Sequence, residues 1–283
     1  MTDGTGNRYK IGWFSTGRGE GSKGLLRTVQ ESIISGDLDA EMEFVYCSRE
    51  RGETEATDAY LDMVENYGIP LVSFSYQKYK ASRDMPNPDP AKPMPQWRLD
   101  YDREVMQRLE PFSPDLCVLA GFMLITGPEM CARYTIINLH PAAPDGPAGT
   151  WQQVIWELIE KRIDTQGVKM HVAIPELDAG PTATYCTFPL RGGDFDRYWD
   201  EIRGKTIEQI KSEQGEENPL FKTIRKHGYV RELPLILETV KSFSRGLVKI
   251  TSERKVVDSR GNSIEGYDLS IQIDEMVKYQ LSG

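Results

Sequence analysis

Between Tyr9 and Pro141, short apolar runs alternate with longer segments whose apolar residues recur every three or four positions. The runs at residues 10–15, 43–47, 70–74, 116–120 and 135–139 are apolar almost throughout, as strands buried on both faces are. The stretches 25–35, 53–67 and 99–109 carry the helical period. That order predicts an α/β fold of Rossmann-like type, an open, mostly parallel sheet with helices on both faces.

Residues 76–97 hold five prolines among several charges and are expected to form a surface loop or lid. Beyond Gly149, a helical segment at 151–162 leads to two β-like runs at 168–174 and 182–190. The charged stretch 191–227 is predicted helical, and 232–243 is a longer amphipathic helix. Residues 247–257, with Gly261 and 267–269, read as a β-hairpin around the polar turn DSRGN. One domain is expected over 1–283, in two halves at 9–141 and 142–283, the second carrying an extension at 192–227.

Composition narrows the class. A chain of 283 residues with 39% apolar and 27% charged residues is that of a folded globular protein, which excludes disorder and collagen-like repetition. Its 43 acidic against 34 basic residues argue against a nucleic-acid partner, which needs a concentrated positive surface. No run approaches the roughly 18 apolar residues that span a bilayer, and the first ten residues lack the pattern of a secretory signal, so a cytoplasmic location is expected. The four cysteines are scattered without a CxxC pair, so neither a metal site nor a disulfide framework is expected.

Candidate chemistry concentrates in 136–181, where INLHP is followed some forty residues later by ELDAGP. Asn138 and His140 stand two apart at the end of a predicted strand and therefore share a face. The carboxyl ends of parallel strands are where open α/β sheets bind ligands. Asp178, before Gly180 and Pro181, puts a carboxylate at a sharp bend. An amide donor, an imidazole and a carboxylate suit acyl transfer: Asn138 can donate to an oxyanion, His140 can act as acid or base, and Asp178 can orient the imidazole. Structural roles, a turn-forming Asn and a core His, are the alternative. The glycine-rich stretch 15–26 (STGRGEGSKGLL), opening a predicted helix, can hold an anion on backbone amides.

These motifs, INLHP, PDLCVLAGFMLITGP at 114–128 and VKMHVAIPELDAGP at 168–181, together resemble glycinamide ribonucleotide formyltransferase and its relatives that use 10-formyltetrahydrofolate. The resemblance implies the formyltransferase fold, with 9–141 as the nucleotide-phosphate-binding half and 142–283 as the folate and catalytic half, and catalysis by Asn138, His140 and Asp178 without a metal. It implies a pterin pocket lined by Phe122, Met123, Leu124, Ile125 and Thr126 with Glu176 and Leu177. It implies a substrate phosphate on Gly21, Ser22, Lys23 and Gly24, with Arg18 adding charge, and an acceptor contact from Glu232. His171 is implied as a supporting residue, whereas His227 reads as a surface residue. Leu124, Pro175 and the loop 142–151 depart from the family pattern.

The expected partners are folate and a small phosphorylated amine, with no nucleic acid and no membrane, in a monomer or homodimer. The expected activity is formyl transfer to that amine, glycinamide ribonucleotide in purine synthesis. The alternatives are a sugar-nucleotide acceptor, hydrolysis of formyltetrahydrofolate and a non-enzymatic folate- or nucleotide-binding protein. The hydrolase relatives carry an additional amino-terminal domain, whereas about eight residues precede the first predicted strand here.

Overall fold

In chain order, the elements of the first half are β1 (Tyr9–Ser15), α1 (Glu20–Ser35), β2 (Ala40–Cys47), α2 (Glu55–Asn66), β3 (Leu71–Ser73), α3 (Tyr76–Ala81), α4 (Gln96–Arg108), β4 (Leu116–Leu119), α5 (Pro128–Arg133) and β5 (Ile136–His140). Then follow α6 (Trp151–Lys161), β6 (Thr165–Val172), β7 (Thr182–Pro189), α7 (Asp194–Glu201), α8 (Ile207–Glu213), α9 (Pro219–Ser244), β8 (Val248–Ile250), β9 (Val256–Asp258), β10 (Tyr267–Asp268) and α10 (Ser270–Leu281). The structure is a computed structural model that describes residues 8–86 and 92–281. It divides into two compact units, one reaching Asn138 and including Val172–Leu177, the other comprising Leu139–His171 and the chain from Asp178 onward.

In the first unit the strands run in the order β3-β2-β1-β4-β5, and every neighbouring pair is parallel. The five apolar runs of the sequence are these strands, each within three residues of its expected bounds. Parallel strands need crossover helices. Here α1 and α2 follow the helical period, and Thr54 caps α2 by accepting from the Thr57 N–H.

Residues 76–97 follow the expectation of a connection at 82–86 and 92–95, which form no helix or strand, and correct it at both ends, where α3 and the start of α4 are helical. Tyr76 and Tyr79 on α3 and Trp97 on α4 are buried in the core with Tyr101, and residues 87–91 of that stretch lie outside the described residues. Pro95 stands at the N-cap of α4, and the aromatic residues on α3 and α4 supply the burial that holds both helices. Phe74 stacks on Tyr101 at 5.1 Å, and the Tyr101 hydroxyl donates to the Phe74 carbonyl at 2.7 Å. On α4, Arg98 and Asp102 form a buried ion pair that also fixes the chain beyond β4. Arg98 donates to the Ile125 carbonyl at 2.6 Å, and Asp102 accepts from the Gly127 N–H at 2.7 Å.

In the second unit β6 and β7 are antiparallel, and β10 pairs in parallel with β7. The predicted hairpin is accordingly smaller than expected. β8 pairs with β9, whereas Tyr267–Asp268 joins β7. The DSRGN turn is closed by Asp258, whose Oδ1 accepts from the Arg260 and Asn262 amides. Two of the predicted helices merge. α9 runs unbroken past Pro234, because Leu235, Ile236 and Val240 beside it are fully buried and their burial outweighs the lost hydrogen bond.

His227 on α9 is half-buried, not a surface residue. Its ring lies 4.9 Å from Phe195 and 5.8 Å from Phe188. Burial, with Arg231 and Lys226 adding positive charge, pulls its imidazole down to about 4. The unfolded chain binds this proton near pH 6.5 and the folded chain does not. The stability it protects is therefore present above pH 6.5 and lost as the pH falls toward 4. The His227→Gln variant should lose less stability than the parent between pH 7.5 and 5, read as the change in urea midpoint. Equal losses in both proteins would refute this.

Candidate active site

β5 ends in Asn138, Leu139 and His140, and Pro141 then turns the chain into the loop PAAPDGP. A loop with a proline at every third position offers few N–H donors, so its carbonyls must be satisfied from outside. In the second unit three buried side chains do so. Gln166 Nε2 donates to Pro141 O, Lys169 Nζ to Pro144 O and His140 Nε2 to Pro147 O, each at 2.9 Å. Because a carbonyl only accepts, His140 carries a hydrogen on Nε2 and turns Nδ1 toward Asp178.

Asp178 is the centre of this arrangement. Its backbone is left-handed, with φ 54°, an unusual conformation for a residue with a side chain. That bend brings Oδ2 to 3.7 Å from His140 Nδ1 and Oδ1 to 3.5 Å from His171 Nε2. The Gly149 N–H donates to Oδ2 at 3.3 Å. Burial alone would raise the Asp178 carboxyl, but His171, His140 and the Gly149 amide outweigh it and hold the group below its ordinary value. Burial lowers the His140 imidazole, with Lys169 and His171 contributing, against the opposing Pro147 carbonyl and Asp178. At neutral pH the pair is thus a carboxylate beside a neutral imidazole whose Nδ1 lone pair can take a proton. Asn138 stands two residues before His140 on the same strand.

The loop ends on Thr150, which caps α6 in a reciprocal pair with Gln153. Thr150 Oγ1 accepts from the Gln153 N–H, and Gln153 Oε1 accepts from the Thr150 N–H. Gly149 precedes this cap at φ 107°, where a Cβ would fall 2.5 Å from Gln153 Oε1.

In the first unit a cavity of about 560 Å³ is lined by the apolar Met94, Met123, Leu124 and Ile125 and by the cationic Arg18, Arg49 and Lys92. Pro175, Glu176 and Leu177, the residues just before Asp178, also line it. Five of the residues implied for the pterin thus share one cavity. Met123 and Leu177 are largely exposed there and are not core. Phe122 instead packs on Phe14 and Tyr46, and Thr126 pairs with Cys131, so neither lines the cavity. Gly21, Ser22, Lys23 and Gly24 form the first turn of α1 and do not line it, and Lys23 is paired with Glu20. Arg18, Arg49 and Lys92 put positive charge on the cavity wall and Glu176 a carboxylate, and Thr16 accepts from Ser48, both also on the wall. Glu232, in the second unit, is engaged by Arg225 at 2.6 Å. Among the described residues no cluster of three or more His, Cys, Asp or Glu could hold a metal ion, and no helix is long and apolar enough to cross a membrane.

Lys169, Gln166 and Arg49 were not singled out from the sequence. The signal for the first was present, because VKMHV puts a lysine between valine and methionine in the buried part of a strand. The other two had no local signature.

The sequence pattern described as Formyl transferase matches residues 20–188, a span that includes Asn138, His140 and Asp178. The chain belongs to the formyl transferase family. It is similar to the phosphoribosylglycinamide formyltransferase of Escherichia coli (strain K12), with 34% identity over 98 residues, covering 33% of this chain and 44% of that protein. It is also similar to the formyltetrahydrofolate deformylase of Haemophilus influenzae, with 29% identity over 126 residues, 44% of this chain and 38% of that one. The matched region thus spans less than half the length of either protein. The structure of the phosphoribosylglycinamide formyltransferase of Coxiella burnetii in complex with CHES shares the fold, with a TM-score of 0.63 at 19% identity over 93% of this chain and 99% of that one. The mostly parallel α/β architecture is therefore that of formyl transferases.

Gly167 of β6 lies against the proline loop. A Cβ there would sit 2.5 Å from the Cys186 carbonyl oxygen and 3.0 Å from Ala143 Cα. Backbone lies on both sides, so Gly167→Ala should cost about 1–3 kcal/mol. A chemical-denaturation midpoint equal to that of the parent would show that the loop is free to move.

Proposed function

We propose that this chain transfers a formyl group from 10-formyltetrahydrofolate to the primary amine of a small phosphorylated acceptor, glycinamide ribonucleotide in purine synthesis. The observation that carries the reading is the pairing of Asp178 with a neutral His140 whose Nε2–H is committed and whose Nδ1 is available. Amine addition to a formyl carbon creates negative charge on oxygen and leaves a proton to be moved from the attacking to the departing nitrogen. Asn138 supplies an amide donor for the oxygen. His140 accepts and returns the proton at Nδ1, and Asp178 stabilises the imidazolium while it lasts.

The first-unit cavity suits the folate, which supplies the formyl group when bound. Met123, Leu124 and Ile125 offer apolar contact to a flat ring, and Arg18 and Arg49 offer charge to an anionic group. On this reading the enzyme works in the cytoplasm, as a monomer or homodimer, and needs no metal. The deformylase relative favours a second reading, in which water replaces the amine.

His140→Ala and Asp178→Asn should each lower kcat by about 10²–10⁴-fold while the fold is kept. Near-full activity in either, followed by loss of formyl-folate absorbance with glycinamide ribonucleotide, would sink the assignment. Turnover that proceeds equally without any amine would select the deformylase. Because burial lowers the His140 imidazole, the acid limb of kcat should lie below pH 6.5, with rate lost as the pH falls through it.

A further inference from the structure

Lys169 is only 4% exposed, in the middle of β6. A buried ammonium is costly unless something compensates it, and most lysines avoid such sites. Its Nζ ends on the carbonyl of Pro144, a neutral acceptor, with Asp178 and Asp145 as the carboxylates acting on it. Burial pulls it below its ordinary value against both of these carboxylates. A neutral donor such as Gln166, three residues upstream, performs the same carbonyl capture on Pro141 without a charge. The charge at 169 therefore needs a reason beyond holding the loop.

The loop supplies the connection. Pro141, Pro144 and Pro147 each give their carbonyl to a buried donor, from residues 166, 169 and 140 respectively. The Gly146 N–H donates to the Ala143 carbonyl across Pro144 and Asp145, so Pro144 sits inside a short turn whose far end meets the imidazole. The titratable groups that act on His140 are Asp178, 3.7 Å from its Nδ1, His171, whose ring lies 6.0 Å away, and Lys169, on the same strand as His171. One of them is anionic, one is a second imidazole, and one is the ammonium.

We propose that Lys169 is a positioning residue for His140, anchoring the loop through Pro144 so that Pro147 fixes the imidazole tautomer, and opposing the charged imidazolium so that Nδ1 stays an open proton acceptor. This inference rests on the proposed chemistry for its meaning in turnover. Its geometry can be tested without turnover.

The test follows the imidazole 15N and 1H signals of His140 through a pH titration in the full chain, in the parent and in Lys169→Met and Lys169→Gln. In Lys169→Met the His140 midpoint should move to higher pH, and the Nε2–H tautomer signature of the neutral ring should weaken. Lys169→Gln keeps a donor for the Pro144 carbonyl without the charge. It should restore the tautomer signature while the midpoint stays high. In turnover, Lys169→Met should lower kcat by about 10- to 100-fold with the acceptor KM within about two-fold, since only the reacting geometry is disturbed. If Lys169→Met does not fold, Lys169→Gln carries the titration alone.

An unchanged His140 midpoint in a folded variant overturns the proposal, and so does an unchanged tautomer signature in Lys169→Met. A parent protein without formyl transfer would refute the proposed function but leave the titration result intact.

Discussion

One buried carboxylate, Asp178, organises the second unit's chemistry. It has been taken out of water at a backbone conformation that L-residues avoid, and both costs are met locally. Two imidazoles flank its oxygens at 3.7 and 3.5 Å, and the Gly149 amide donates to it. Because these partners lie on β5, β6 and the loop before α6, none of those elements can shift without uncovering the charge. The left-handed bend is the means by which a residue following 172–177 turns back toward both histidines.

The loop between β5 and α6 shows a second consequence of the same economy. Prolines restrict its backbone and remove donors, which makes it rigid but leaves its carbonyls needing partners. Their capture by Gln166, Lys169 and His140 couples the rigidity of the loop to the orientation of the imidazole. A glycine at 167 is the corresponding requirement on the strand side, where backbone approaches too closely for a Cβ. The capping pair Thr150 and Gln153 closes the far end, so Gly149 reaches Asp178 from a fixed helix start.

Much of this was legible in the sequence, for reasons that differ by element. The parallel strands of the first unit read correctly because double-sided burial makes them continuously apolar, and INLHP with ELDAGP announced His140 and Asp178 through their position at a strand end and a bend. The two ends of 76–97 misled because proline marks the boundary of a helix as readily as a loop, while the burial of Tyr76, Tyr79 and Trp97 is a tertiary fact. His227 misled in the same way, since its charged neighbours Arg225 and Lys226 say nothing of Phe188 and Phe195. Of the stretch named for the phosphate, Arg18 lies on the cavity wall, while Gly21 to Gly24 form the first turn of α1.

The acidic balance of the chain is compatible with a cationic cavity because the two concern different residues. Many exposed cations are already answered nearby: Arg51 by Asp62 and Glu65, Lys78 by Glu50, Arg103 by Asp100 and Glu129, Arg108 by Glu104. Such surface pairs contribute little to stability, about 0–1 kcal/mol each, but they remove free positive charge from the exterior. Among the described residues, Arg18 and Arg49 have no carboxylate in ion-pair contact, and both face the cavity. An anion approaching a protein of net charge −9 therefore finds in that cavity two guanidinium groups that no carboxylate has claimed.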